Sequence, residues 1–178
     1  MEDLKHCICS ASLISNPLHF LTCNLLRSSV ISRHDRLFQC LARVARLTGT
    51  TVESEPRLAA GDEGSRADGK FYFTSLSNFV DLCVVHPAAA SYLALAVKPL
   101  GAASKREKDK SLLYERVAQS QGALFHPVVY ETFGALGSRG AIFISRLADE
   151  AIANGVPMIE DQPVNSSLLV RCLLPFKV

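Results

Sequence analysis

The segment RADGKFYFTSLSNFVDLCVVH, residues 66–86, most constrains the fold because it contains an acidic residue inside an apolar run. Asp81 lies within FVDLCVV, a run typical of a buried strand. A carboxylate buried there costs roughly several kcal/mol unless it is paired, hydrogen-bonded or bound to a metal. Asp68 stands at the entry of the preceding apolar run. Antiparallel pairing of the two runs across a short turn predicts that the two carboxylates approach each other at one end of a sheet.

Two chemical explanations suit such a pair of carboxylates. Close carboxylates repel each other, which raises a pKa or favours a divalent cation, and Mg²⁺ prefers oxygen ligands. Alternatively, Asp68 caps a turn and Asp81 bonds to a basic side chain or to backbone amides. From these residues alone, both interpretations stand.

The first 23 residues contain a second candidate site, with the pattern C-x-C-x9-H-x3-C. Zn²⁺ takes about four nitrogen or sulfur ligands, and two close pairs can close a small fold that has little core. The alternative is accidental cysteines, because C-x-C is tighter than the common C-x2-C. The four candidate zinc ligands are Cys7, Cys9, His19 and Cys23. The other three cysteines lie in apolar periodic runs and are expected to pack in the core: Cys40, Cys83 and Cys172.

Hydrophobic periodicity predicts an α/β domain with the order helix, strand, strand, strand, helix, strand, helix. Ser32 is the predicted N-cap of the first helix. Pro127 favours an edge position or a bulge for the last strand. The predicted elements cover residues 32–47, 50–55, 70–74, 78–86, 103–121, 123–131 and 138–154.

Basic residues cluster on two of the predicted helices, although the formal net charge is only +2. The first helix carries four arginines, and the second carries four bases against two acids. Solvated faces and contacts with nucleic-acid phosphates both explain such clusters. The basic residues are Arg33, Arg36, Arg43 and Arg46 on the first helix and Lys105, Arg106, Lys108 and Lys110 on the second.

Composition limits the class of protein. With 178 residues and 48% apolar residues, the chain can bury the core of one ordinary domain. No apolar stretch reaches the roughly 18 to 20 residues of a membrane span, and the start lacks the layout of a secretory signal. We expect a soluble, intracellular protein without a membrane partner. The start of the chain is expected to be the cut end of a longer protein.

The chain resembles the restriction-endonuclease-like domain, of the PD-(D/E)XK class, that follows the reverse transcriptase in some LINE-type non-LTR retrotransposons. The resemblance runs from about Cys7 to Asn154, and to a lesser degree to Phe176. Its segments follow the family's order, and 12 residues separate Asp68 from Asp81. Those segments are the CCHC pattern, Arg33-His34-Asp35, RADG, VDLCVVHP, KREKDKSLLY and PVVYETFGALG.

The resemblance implies an α/β fold with a nuclease-like core of order αβββαβ, in which helices flank a mixed sheet. A small zinc knuckle precedes this core. The implied domains are a CCHC zinc-knuckle-like segment over residues 1–31, an endonuclease-like domain over 32–157, and a linker with a C-terminal packing helix over 158–178.

The resemblance also implies an activity, namely Mg²⁺- or Mn²⁺-dependent nicking of target DNA so that the exposed 3′ end primes reverse transcription. Asp68 and Asp81 would hold that metal, with Glu55 as a further candidate carboxylate. Zn²⁺ would occupy the knuckle. The implied partners are the DNA phosphate backbone, RNA and a reverse transcriptase in cis, and the implied location is the nucleus.

Two positions depart from the family's pattern. Ala67 replaces the proline of the PD motif, and Cys83 stands where the D-x-K lysine is expected. In this branch of the family a lysine from the next helix can serve instead, to orient the attacking water or to offset negative charge. The candidate catalytic lysines are Lys108 and Lys110, with Lys105 one turn before Lys108.

Two further classes of function compete with the nuclease. The first is a catalytically inactive nucleic-acid-binding remnant, whose knuckle and basic helices hold phosphates without a metal at the carboxylates. The second is a cysteine hydrolase that uses Cys83 with His86 or His126. An apolar, buried setting for Cys83 argues against that hydrolase, because a thiolate nucleophile needs an exposed, electropositive environment.

Overall fold

The computed structural model of the protein describes residues 5–21, 23–58 and 66–156. The elements follow the predicted order. Within these residues, no helix is long and apolar enough to cross a membrane. The helices and strands are α1 (Arg27–Leu47), β1 (Thr51–Ser54), β2 (Gly69–Tyr72), β3 (Ser77–Val85), α2 (Gly101–Ser120), β4 (Leu124–Glu131) and α3 (Ser138–Ala153), with short 3-10 turns at His19–Leu21, Asn24–Leu26 and Leu93–Leu95.

The four strands form one mixed sheet in the order β1-β2-β3-β4. β2 pairs antiparallel with both β1 and β3, whereas β4 runs parallel to β3. α2 lies in the connection between the two parallel strands, as a parallel pair requires. The predicted α/β class with a mixed sheet is confirmed. Among the described strands β4 lies at an edge, which confirms the position that Pro127 predicted.

Alternation along β3 divides the core into two layers. Val80 and Leu82 belong to the cluster that includes Phe38 of α1 and Phe143 of α3. Phe79 belongs to a second cluster, on the side of α2. The sheet is therefore covered by α1 and α3 on one face and by α2 on the other. Asp81 lies two residues after Phe79 on β3, so its side chain projects from the same face of the strand, toward α2.

The structure corrects the predicted start of the first helix. α1 begins at Arg27, so Ser32 lies inside it, and the prediction of a Ser32 N-cap was wrong. A 3-10 turn at Asn24–Leu26 runs directly into α1, and no side chain caps it. The helix therefore continues through Ser32. The predicted domain boundary between residues 31 and 32 falls within α1. The predicted linker and C-terminal helix over 158–178, with Cys172, lie outside the described residues.

Candidate functional site

Asp81 lies on the face of β3 that packs against α2, and its partner comes from that helix. The Nζ atom of Lys110 is 2.7 Å from Asp81 Oδ2, and the two side chains are only 15% and 9% exposed. Burial raises the pKa of Asp81, whereas the Lys110 ammonium opposes that shift. Among the described residues, Oδ2 has no partner with hydrogen-bond geometry. The contact is thus an ion pair that leaves a buried oxygen able to accept a further ligand.

The repeat distances of helix and strand explain why α2 aligns with β3. Four helical residues rise about 6 Å, and two strand residues span roughly 6.6 Å. Lys110 therefore meets Asp81 while Arg106, one turn earlier, meets Cys83. Burial lowers the pKa of Arg106, but its hydrogen bond to Cys83 and the charge of Asp81 raise the pKa overall. Two basic side chains of α2 thus lie along β3, with Lys110 at Asp81 and Arg106 at Cys83.

Asp68 lies beside Asp81 at the end of the β2–β3 hairpin. The register pairs Gly69 with Val80, so one further step brings Asp68 opposite Asp81. The negative charge of Asp68 contributes to the raised pKa of Asp81. Asp68 Oδ2 accepts a 2.6 Å hydrogen bond from the backbone N–H of Leu82. The two carboxylates thus approach each other, as the predicted antiparallel pairing of the two strands requires. Asp68 also accepts the hydrogen bond of a β3 backbone N–H at a position beyond the end of β2.

His34 of α1 completes this cluster through its two ring nitrogens. Nε2 lies 3.2 Å from Asp68 Oδ2 and 3.1 Å from the carbonyl oxygen of Leu82. Nδ1 lies 3.1 Å from Asp35 Oδ1. Because these oxygens only accept hydrogen bonds, both nitrogens donate and the ring is an imidazolium. The Asp68 hydrogen bond raises the pKa of His34 to about 9.

Sequence reasoning gave His34 no role of its own. Its contact with Asp68 spans 34 positions of the chain, so no local pattern could reveal it. The one available signal was Arg33-His34-Asp35, which appeared only among the segments of the family resemblance.

The other sequence candidates lie elsewhere. Glu55 has a positive φ of 51° after β1, and its 75% exposed side chain lies 3.6 Å from Arg66. Lys108 is exposed and lines a groove on another side of α2, together with Glu107. Lys105 pairs with Asp109 at 2.6 Å. The structure therefore brings together the side chains of Asp68, Asp81 and Lys110. The backbone N–H of Glu55 donates to the carbonyl oxygen of Asp68 at 2.9 Å, but the Glu55 carboxylate pairs with Arg66 instead.

The Cys and His residues of the N-terminal pattern form a second site. Their ligand atoms all lie within 4.8 Å of one another, and in the described part of the chain they are the one such group that can hold a metal ion. Zn–S and Zn–N bonds in a tetrahedral site place ligand atoms about 3.3 to 3.8 Å apart. The separations are 3.5 Å for Cys7 Sγ to Cys23 Sγ and 2.9 Å for Cys9 Sγ to His19 Nε2. The first separation lies in that range and the second is shorter, so Cys9 and His19 would move apart slightly around an ion. The grouping of all four ligand atoms within 4.8 Å shows that the site can hold a metal such as zinc.

Local structure explains how these ligands converge. A bridge between His6 and Ser12 closes a small turn that carries Cys7 and Cys9. The 3-10 turn at His19–Leu21 presents the third ligand. The backbone N–H of Cys9 lowers the pKa of Cys7, which favours the thiolate that a metal requires, whereas burial raises the pKa of Cys23.

The histidines of the cysteine-hydrolase hypothesis have partners other than Cys83. His86 Nδ1 lies 2.8 Å from Thr132 Oγ1. His126 Nε2 lies 2.9 Å from Asn78 Oδ1. Because Cys83 bonds to Arg106 rather than to a histidine, the nucleophile and base of such an enzyme are not paired here.

Comparisons with known proteins add no family to this geometry. A scan against protein-family models gives no match, and a search of curated proteins gives no significant match. The case for a function therefore rests on the residues described above.

Proposed function

We propose that the protein is a metal-dependent DNA endonuclease of the restriction-endonuclease-like class, which nicks target DNA as part of a retrotransposon-derived protein. The observation that carries this proposal is the convergence of Asp68, Asp81 and Lys110 at one end of the β2–β3 hairpin. A pair of carboxylates with a lysine is the set of groups that metal-assisted phosphodiester hydrolysis needs. A DNA substrate would place the protein in the nucleus.

The element order supports this assignment without deciding it. The chain runs α1, β1, β2, β3, α2, β4, α3, and a nuclease-like core of order αβββαβ is what the family resemblance implies. A fold alone does not fix an activity, since unrelated functions share folds. The proposed endonuclease function therefore rests mainly on the chemistry of the carboxylate pair.

The carboxylates suit Mg²⁺ in number and in setting. Mg²⁺ in nuclease-type sites is held by one or two carboxylates and completes its shell with water and phosphate oxygens. Asp81 Oδ2 is buried, and Lys110 Nζ lies 2.7 Å from it, in a geometry that falls outside that of a regular hydrogen bond. Asp68 and Asp81 would hold the ion. When bound, Mg²⁺ would supply positive charge at the scissile phosphate and lower the pKa of a water.

Lys110 supplies the positive charge that Cys83 cannot. Its ammonium group comes from α2 rather than from β3 and lies 2.7 Å from Asp81. The Tyr114 ring, whose centroid is 5.5 Å from Nζ, limits its movement. From this position Lys110 can orient a water or offset the negative charge that develops on the phosphate. His34 would act as a positioning residue, because it touches Asp68 and not the substrate.

The test is the nicking of supercoiled plasmid by the purified chain, with Mg²⁺ or Mn²⁺ against a chelator. We expect nicking that needs the metal and that Asp81→Asn or Lys110→Met reduces at least 100-fold. Lys108→Met is the matched control, because it removes the same charge from an exposed position on the same helix. Nicking that survives Asp81→Asn, or a folded wild-type chain that never nicks, would contradict the proposal.

A second candidate function is DNA binding without cleavage. It is favoured by the ion pairs themselves, because Lys110 on Asp81 and His34 on Asp68 compensate both carboxylates without a metal. Such a protein would bind DNA equally well in Mg²⁺-containing and in Mg²⁺-free buffer, and its affinity would fall as salt rises. The zinc knuckle, held by its four cysteine and histidine ligands, would then serve binding alone.

A further inference from the structure

A cavity of about 370 Å³ lies beside the carboxylate cluster, between α1, the end of β3 and the start of α2. We call it the arginine cavity. Its polar lining comes from Arg33, Cys83, His86, Tyr92, Arg106 and Thr132. The proposed cleavage chemistry, which uses Asp68, Asp81 and Lys110, leaves these side chains without a role.

Arg33 is the first sign that this cavity takes an anion. Its Nε atom is buried and has no hydrogen-bond partner among the described residues. None of the ion pairs formed by those residues includes Arg33. Burial lowers the pKa of Arg33. A half-buried guanidinium without an acceptor is costly, and an anionic ligand removes that cost.

Arg106 contributes a second guanidinium, from α2. It bonds to Cys83 and feels the charge of Asp81, and it too belongs to none of the ion pairs of the described residues. Arg106 lies one helical turn before Lys110, and Cys83 lies two residues after Asp81, so the cavity and the carboxylate site share α2 and β3. Two arginines from different helices in the lining of one cavity offer planar sets of donors of the kind that fits phosphate oxygens.

The remaining polar groups suit the same ligand. Thr132 Oγ1 lies 2.8 Å from His86 Nδ1. Burial and the charge of Arg33 lower the pKa of His86, so its ring is neutral and leaves the positive charge to the arginines. In the cavity lining there is no aspartate or glutamate to repel an anion. The volume lies in the lower part of the range for small-molecule sites, roughly 300 to 1,000 Å³, and admits a phosphate with part of its sugar.

We propose that the arginine cavity binds a phosphate group, and that on DNA this is the backbone phosphodiester next to the one that is cut. The second half of this statement rests on the proposed function, whereas the first half does not. Arg33 and Arg106 would hold the phosphate and so fix the register of the scissile bond over Asp68 and Asp81. A free phosphate compound has the same chemistry, so the test must separate the two sources.

The first arm of the test uses inorganic phosphate and NMR of the arginine Nε–H groups in Mg²⁺-free buffer. We expect the Arg33 signal, identified by its loss in Arg33→Gln, to shift and saturate. Arg106→Gln should weaken binding about tenfold or more, the effect of losing a charge-assisted hydrogen bond. Arg116→Gln is the control, because it removes an equal charge from an exposed position of α2. No shift, or equal weakening by Arg116→Gln, would overturn the proposal.

The second arm uses a DNA duplex, again in Mg²⁺-free buffer, and the dependence of affinity on salt. Loss of one phosphate contact should reduce the slope of log affinity against log salt by about 0.9. We expect that reduction for Arg33→Gln and Arg106→Gln but not for Arg116→Gln. A phosphate shift without a change of slope would overturn the backbone assignment. Asp81→Asn separates the two proposals, because it should reduce nicking at least 100-fold and should not weaken phosphate binding.

Discussion

Lys110 Nζ lies 2.7 Å from Asp81 Oδ2 across the interface between α2 and β3, and each charge compensates the burial of the other. This pair explains how an acidic residue stands inside the apolar run FVDLCVV. It also links the fold to the proposed chemistry, because the same ammonium that stabilises the buried carboxylate would face the scissile phosphate. The stability of the domain and its activity should therefore respond to the same substitutions.

Lys110→Met should destabilise the folded protein by about 3 kcal/mol at pH 7, since it leaves a buried carboxylate without a counter-charge. The loss should shrink at lower pH, because protonation of Asp81 removes the uncompensated charge and its pKa is already raised. Urea unfolding at pH 7 and pH 5 measures both effects.

A double-variant cycle supplies the control for this prediction. Asp81→Asn combined with Lys110→Met should be more stable than Lys110→Met alone, by roughly 1 to 3 kcal/mol, because the isolated charge is gone. Lys108→Met should change the free energy of unfolding by less than about 0.5 kcal/mol. Additive effects of Asp81→Asn and Lys110→Met would show that the two side chains do not interact.

Glu107→Gln should destabilise the domain by about 2 kcal/mol, because Glu107 is the acceptor for the start of α3. Its carboxylate is 2% exposed and accepts hydrogen bonds from the N–H groups of Arg139 and Gly140, at 3.0 and 3.1 Å. Those N–H groups have no partner inside their own helix. The matched control is Glu115→Gln, whose partly exposed pair with Arg139 contributes less than about 1 kcal/mol. Equal losses in urea unfolding would refute this role of Glu107.

The order of helices and strands could be predicted from the sequence, because the spacing of apolar residues alone distinguishes these helices from these strands. It also predicted the approach of Asp68 and Asp81, since a short hairpin fixes register and register fixes neighbours. The predicted start of α1 was wrong because the pattern offered a good cap at Ser32, whereas the 3-10 turn at Asn24–Leu26 leads directly into a helix that begins at Arg27.

The choice among the lysines lay beyond the sequence. Lys108 and Lys110 are about 200° apart around α2, so which one meets Asp81 depends on how the helix is rotated against the sheet. Hydrophobic contacts of distant residues decide that rotation. For Glu55, a positive φ of 51° turns the chain at the end of β1, and alternation along a strand cannot predict such a turn.

Removal of zinc should unfold the N-terminal site and leave the sheet intact. We expect one zinc per chain, lost on treatment with chelator or in Cys9→Ser, because three ligands hold zinc less tightly than four. Four buried residues of α1 remain packed in the core without the metal: Phe38, Leu41, Ala42 and Ala45. Amide NMR spectra should therefore change near residues 5–26 and persist in β3. His6→Asn is the control, since His6 is adjacent to Cys7 but is not among the four ligands; loss of the β3 signals would contradict this independence.

Acid should destabilise the protein through His126, whose ring is buried between Asn78 and Phe143. Burial, reinforced by the charges of Arg146 and Arg139, lowers the pKa of His126 from 6.5 to about 4. Between these two values the unfolded chain binds a proton that the folded chain does not. The stabilising contribution is therefore complete above pH 6.5 and is lost as pH falls toward 4, by at most about 3 kcal/mol.

Urea unfolding at pH 7 and pH 4.5 measures this loss, and His126→Gln provides the comparison. A glutamine amide can still donate to Asn78 but does not titrate, so the variant should lose less stability between the two pH values than the wild type. Arg146→Gln should raise the pKa of His126, seen in ring NMR signals, because it removes one of the charges that oppose protonation. If the wild type and His126→Gln lose equal stability between the two pH values, other groups cause the acid destabilisation. The buried His126–Asn78 hydrogen bond would then contribute to packing but not to the pH dependence.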